Sequence, residues 1–100
     1  MRELLTFGQA IEYLKMGKRV ARVGWNGKGM FIFMQVPATI ESNVIPNMTS
    51  LPQSVKDEFI RRGGSISYKN QLAIVYPDNT IYGWVASPSD VLEQDWEVLD

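Results

Sequence analysis

Four carboxylates fall within residues 90–97: Asp90, Glu93, Asp95 and Glu97. Such a group can serve acid/base catalysis or hold a divalent metal. The same residues also suit a structural role, with Asp90 capping a helix and the others lying at a helix start or on solvated strand positions. The structural reading is the stronger, since carboxylates mostly sit in water. Asp90 stands apart, because a capping carboxylate can also accept hydrogen bonds from ribose hydroxyls.

A second group is Gly24-Trp25-Asn26-Gly27-Lys28-Gly29, with Arg22 just before it. A nest of backbone N–H groups there could hold an anion beside Arg22 and Lys28. It lacks the P-loop pattern, however, and leads into an apolar strand instead of opening a helix. As a turn with Asn-Gly chemistry it is well formed.

The third group is aromatic. Trp25, Trp84 and Trp96 join Tyr68, Tyr76 and Tyr82 in a chain with no histidine and no cysteine. Trp96 alternates with Val98 and belongs to the core. Trp25 and Trp84 each lie at a strand end beside glycine or serine, where packing and stacking are both open. Two such rings with Arg22 and Asn26 adjacent favour a platform for a planar group.

Composition narrows these uses. Without cysteine there is no disulfide, thiolate metal site or cysteine nucleophile. Without histidine the commonest general base, the commonest metal ligand and every Ser-His pair are gone. A formal charge of −1 argues against binding a nucleic acid polymer or an anionic membrane surface. The first residues are amphipathic and charged, unlike a signal peptide, and no apolar run has membrane-spanning length. A soluble, cytoplasmic protein is the expectation.

The elements that must position these groups follow from periodicity. One hundred residues, 45% of them apolar, suit one small domain over residues 1–100. Thr6-Phe7-Gly8-Gln9 is a capping box, and Phe7, Ala10, Ile11 and Leu14 form one apolar stripe, giving a helix over 7–16 that Gly17 stops. Strands are predicted at 19–23 and 30–36, joined by 24–29. In the second, Met30, Ile32, Met34 and Val36 face one way and Phe31 and Phe33 the other, so both faces should be covered. Residues 37–52 are proline-rich and expected to be irregular, and Pro52 should open a helix through Arg62 bearing Val55, Phe59 and Ile60. Residues 66–76 and 80–85 read as a hairpin about Pro77-Asp78-Asn79. Ser87-Pro88-Ser89-Asp90 starts a short helical turn, and 95–99 closes as a strand. The expected class is α+β on a mainly antiparallel sheet, with a short N-terminal helix and one or two further short helices.

Two stretches carry a family resemblance. TFGQAIEYLKMGKRVARVGWNGKGMFIF at 6–33 contains F-G-x-A-I-x-x-L-K-x-G-K-x-V-A-R-x-G-W-N-G. LAIVYPDNTIYGWVASPSDVLEQDWEVL at 72–99 contains W-x-x-S-x-x-D-x-L-x-x-D-W. The chain resembles the Thoeris anti-defence two family of phage and prophage proteins. Residues 37–67 lie outside these elements, and Pro88 interrupts the polar run after Ser87.

The resemblance implies a sponge, which binds cyclic ADP-ribose-type signals made by TIR-domain defence proteins without destroying them. It implies a homo-oligomer, typically a tetramer, with pockets between subunits, and in some members cyclic dinucleotides at separate sites. No enzyme activity and no cofactor are expected. Such a ligand suits stacking on Trp25 or Trp84, phosphate contacts from Arg22 or Lys28, and hydroxyl or amide contacts from Asn26, Ser87 and Asp90. Met30 joins these as a binding residue, and the 30–36 strand is an interface candidate. Two alternatives stand beside this. One is a metal-dependent nucleotide-processing enzyme using Asp90, Glu93 or Asp95. The other is a protein-interaction module acting through residues 37–52.

Overall fold

The computed structural model describes residues 4–99. The chain forms two compact units. One takes the chain through Gln35 and again from Gln71, and the other is Val36–Asn70.

The larger unit starts with α1 (Phe7–Lys15). The Thr6 hydroxyl accepts the Gln9 backbone N–H at 3.2 Å, and the Gln9 amide oxygen accepts the Thr6 N–H at 2.9 Å. This capping box satisfies donors that a helix start leaves orphaned. Ala10 and Leu14 are wholly buried, while Phe7 and Ile11 pack against the same core at its border. The predicted stripe is therefore the buried face. The helix ends at Gly17, whose φ of +87° is left-handed backbone that glycine adopts without strain.

The sheet has five strands in the order β6-β5-β2-β1-β7, all antiparallel: β1 Val20–Arg22, β2 Phe31–Met34, β5 Leu72–Val75, β6 Ile81–Gly83 and β7 Trp96–Val98. Val20, Ile32 and Ile74 lie in register across it and are buried with Leu5, Ala10, Leu14 and Trp96. Neighbours on each side satisfy the backbone of β2, and its faces are covered unequally: Phe31 and Phe33 are only half-buried, and Val36 lies beyond the strand and is exposed. Ile32 fills the core, and the Arg19 guanidinium sits 5.2 Å from the Phe31 ring centroid on the opposite face.

The hairpin forms as expected. Asn79 has φ +67°, and Asp78 Oδ1 accepts both the Thr80 N–H at 3.1 Å and the Thr80 hydroxyl at 2.7 Å. One predicted strand is instead divided. Residues 66–76 do not run continuously: Ile66–Tyr68 (β4) pairs with Ala38–Ile40 (β3) in a separate two-stranded sheet. The polar run Lys69-Asn70-Gln71 breaks the apolar pattern. There the pairing of β2 with β5 extends by one step, with the Gln35 N–H donating to the Gln71 carbonyl at 2.8 Å.

The Val36–Asn70 unit holds β3, a 3-10 turn at Ile45–Asn47, the helix α3 (Gln53–Arg62) and β4. Residues 37–52 thus carry more order than their prolines suggested. Pro52 caps α3, as its fixed φ permits, and Val55 and Phe59 form the partly buried side while Ile60 is exposed. Glu58 accepts from both Arg61 and Arg62, which holds its carboxyl down to about 2. The α+β class and the N-terminal helix are as predicted, with four short α-helices in all among the described residues.

Candidate functional site

At the end of β1 the chain does not enter a hairpin turn. Val23–Asn26 forms a single helical turn, α2, and Gly27 continues in right-handed backbone at φ −68°, ψ −11°. The Asn-Gly pair therefore makes no mirror-image turn. The left-handed residue of this stretch is Gly29, at φ +75°. The Trp25 carbonyl anchors the return by accepting the Lys28 N–H at 2.9 Å and that of Met30 at 3.5 Å.

The helical turn folds the Trp25 ring onto Trp96, edge-on, with centroids 5.4 Å apart. Trp84, just past β6, meets Trp96 at 6.0 Å and Trp25 at 6.2 Å, both near perpendicular. Phe7 of α1 completes the group at 5.4 Å from Trp96 and 6.1 Å from Trp84. Trp96 is fully buried at the centre, whereas Trp25 and Trp84 are half-buried at the border of the core. Edge-to-face contact is the favoured geometry for aromatic quadrupoles. It also leaves the two outer rings a partly open surface.

A polar edge adjoins these rings. Ser87 caps α4 (Pro88–Leu92): its hydroxyl accepts the Asp90 N–H at 3.2 Å, and Asp90 Oδ2 accepts the Ser87 N–H at 2.8 Å. Pro88 takes the first helical position, where its missing N–H costs nothing. Asp90 Oδ1 accepts Arg22 Nη1 at 3.0 Å, and the Asp90 carbonyl accepts the Trp96 indole N–H at 2.8 Å. Arg22 also grips Asp95 in a fork, with Nε to Oδ1 at 2.9 Å and Nη2 to Oδ2 at 3.0 Å. That pairing raises the Arg22 pKa, with Asp95 the larger influence and Asp90 adding to it against the opposing effect of burial.

The structure therefore brings together Arg22, Trp25, Trp84, Ser87 and Asp90. Met30 is half-buried and packs against the same core, and Lys28 is exposed on the turn beyond α2. Asn26 ends α2, and its side chain lies outside the described residues. The four C-terminal carboxylates do not form one group, since only Asp90 and Asp95 meet, on Arg22. Asp90 and Asp95 are held by Arg22, Glu93 is exposed and Glu97 is buried in β7. Among the described residues no group of three acidic side chains is placed to hold a metal ion. Also among them, no helix is long and apolar enough to cross a membrane.

A family model for the Thoeris anti-defense 2-like domain matches residues 5–99. The chain is also 34% identical over 99 residues to a protein named Thoeris anti-defense 2 from Bacillus phage SP01, covering 99% of each chain. The chain belongs to the Thoeris anti-defense 2-like family. The match runs through residues 37–67, which the two recurring motifs do not cover.

In this member of the Thoeris anti-defense 2-like family the two motifs have one physical meaning. The first supplies Phe7, Arg22 and Trp25, the second Trp84, Ser87, Asp90, Asp95 and Trp96, and folding joins them into one aromatic and polar cluster. Sequence reasoning missed Asp95 as the main partner of Arg22, and Phe7 as part of the ring group. The signal for Asp95 was its place one residue before Trp96, which pairs with Arg22 across β1 and β7.

Burial alone would raise the Asp90 carboxyl, but hydrogen bonds from Ser87 and the Arg22 guanidinium outweigh it and hold the pKa below the ordinary 3.8. A depressed carboxyl contributes stability that is present above its unfolded pKa and lost as pH falls through its folded one. Folding free energy should thus decline as pH drops below about 4. Asp90→Asn should be less stable at neutral pH and flatter over that acid range, which denaturant titrations from pH 7 to pH 2 would show.

Proposed function

We propose that this protein sequesters, without turnover, a cyclic ADP-ribose-type signal and thereby counteracts Thoeris antiphage defence in the cytoplasm of an infected bacterium. The single observation that carries this reading is the pair of half-buried rings, Trp25 and Trp84, set beside a polar edge of Ser87, Asp90 and Arg22. Family membership and the anti-defense name of the Bacillus phage relative support the role against Thoeris.

The ligand's chemistry fits the parts. Its adenine stacks on Trp25 or Trp84, an interaction of about 1–3 kcal/mol by analogy with other aromatic platforms. Ser87 and Asn26 meet hydroxyl and amide groups, and Met30 lines the apolar side. Lys28, exposed on its turn, meets the pyrophosphate through charge-assisted hydrogen bonds. No step requires a base or nucleophile.

A sponge spends one site per molecule, so it must bind tightly, and nanomolar affinity takes about 12 kcal/mol net. One stacked base and one cation cannot supply that, so a second copy of the chain encloses the ligand, in a homotetramer. The opposite face of β2, bearing half-buried Phe31 and Phe33, is a separate contact between copies in that tetramer.

Thermal shifts with a panel of cyclic ADP-ribose isomers, linear ADP-ribose and cyclic dinucleotides test the reading. A ligand at a hundred times its Kd stabilises the folded state by about 2.7 kcal/mol. At least one cyclic ADP-ribose isomer should raise the Tm, and linear ADP-ribose should raise it far less. A flat response to every cyclic ADP-ribose isomer would contradict it.

A further inference from the structure

The polar edge contains a cation whose bonding leaves it poorly suited to binding an anion. Arg22 offers N–H groups on three nitrogens. Nε and Nη2 are taken by the two oxygens of Asp95, and Nη1 by Asp90 Oδ1 at 3.0 Å and Ser89 Oγ at 3.4 Å. The Arg22 side chain is 18% exposed, that of Asp90 11% and that of Asp95 34%. One cation against two carboxylates gives the cluster a formal charge of −1. A phosphate approaching this edge therefore meets net repulsion. Releasing the guanidinium to greet it would leave partly buried carboxylates without their partner, which is costly.

What Arg22 touches defines another task. Its fork to Asp95 ties the end of β1 to the residue before β7. Its third nitrogen holds the carboxylate that caps α4 through Ser87. The carbonyl of that same Asp90 receives the indole N–H of Trp96, against which Trp25 and Trp84 rest.

We propose that Arg22, held by Asp95, is a positioning residue that sets Ser87 and the Trp25–Trp84 pair for the ligand and does not itself contact the ligand's phosphates. This rests on the ligand reading above.

Arg22→Gln, Arg22→Lys, Asp95→Asn and Asp95→Glu test it in two arms. The first needs no ligand: amide and indole exchange by NMR. Trp96 indole N–H exchange should quicken by about tenfold or more in Arg22→Gln, Arg22→Lys and Asp95→Asn, and return toward wild type in Asp95→Glu. The second arm measures binding of a cyclic ADP-ribose isomer against salt concentration. Arg22→Gln, Arg22→Lys and Asp95→Asn should each weaken binding by about tenfold or more with the salt dependence unchanged, because no ionic contact to ligand is lost.

Tighter binding by Asp95→Asn, whose guanidinium is freed, would overturn the proposal. So would near-normal binding by Arg22→Lys together with a flattened salt dependence in Arg22→Gln. Should either Arg22 variant fail to fold, the two Asp95 variants decide alone. If the wild-type protein bound no cyclic nucleotide, the sponge reading would fall. The exchange arm would still decide the positioning role, with unchanged indole exchange rejecting it.

Discussion

Trp96→Ala is expected to destabilise the protein by about 3–5 kcal/mol, the range for removing a large aromatic side chain from a core. The ring has no exposed surface and meets Phe7, Trp25 and Trp84 at centroid distances of 5.4, 5.4 and 6.0 Å. Its indole N–H closes the hydrogen bond to the Asp90 carbonyl, so truncation leaves both a cavity and an unsatisfied acceptor. Its backbone exchanges hydrogen bonds with Leu5 at 2.8 and 3.1 Å, and these do not depend on the side chain. Small domains hold about 5–15 kcal/mol in total, so the loss is a large share. Urea unfolding followed by circular dichroism measures it. Trp96→Phe should fall between wild type and alanine, since it keeps bulk and loses the hydrogen bond. A cost below about 1 kcal/mol would show that the ring is not the packing centre.

Trp25→Ala and Trp84→Ala are expected to act on binding. Each ring is half-buried and touches the core at one edge. Removing it forfeits a stacking contact of about 1–3 kcal/mol, which is roughly five- to 150-fold in affinity. In a sponge that must outcompete a receptor for ligand, such a loss abolishes retention in practice. Far-UV circular dichroism and oligomer mass should remain those of the wild type, while ligand pulled through a desalting column with the protein should vanish. If either variant instead unfolds, that ring is a core plug and the platform reading fails for its position. The double variant should lose less stability than the sum of the two single losses, because the contact between the rings, 6.2 Å apart, is already lost in each single variant.

Much of the fold could be read from local chemistry. The Thr6–Gln9 capping box, the Ala10 and Leu14 stripe, the Pro77-Asp78-Asn79 turn and the Ser87–Asp90 cap all depend on neighbours a few residues apart, and each formed as its residue types demand. The features that escaped depend on distant partners. That β4 leaves the main sheet to pair with β3 cannot be seen from Ile66-Ser67-Tyr68 alone, because an apolar run does not name its partner. The helical turn at Val23–Asn26 replaced an Asn-Gly turn because Trp25 gains its contact with Trp96, 71 positions later in the chain.

The site shows the same division. Trp25 and Trp84 stood out by type and by their place at strand ends. The fork between Arg22 and Asp95 spans 73 positions, and only the β1–β7 register brings the two together. Read alone, Arg22 looked like a phosphate ligand. Among its neighbours it is a cation already engaged on three nitrogens.

The most direct test of sequestration follows a cyclic ADP-ribose isomer through one cycle of capture and release. Purified protein is mixed with a known amount of the isomer, the free fraction is measured by mass spectrometry, and the protein is then denatured by heat. Free ligand should fall in proportion to the number of sites added and return intact on heating. Recovery of linear ADP-ribose, or depletion that continues beyond one molecule per site, would contradict it.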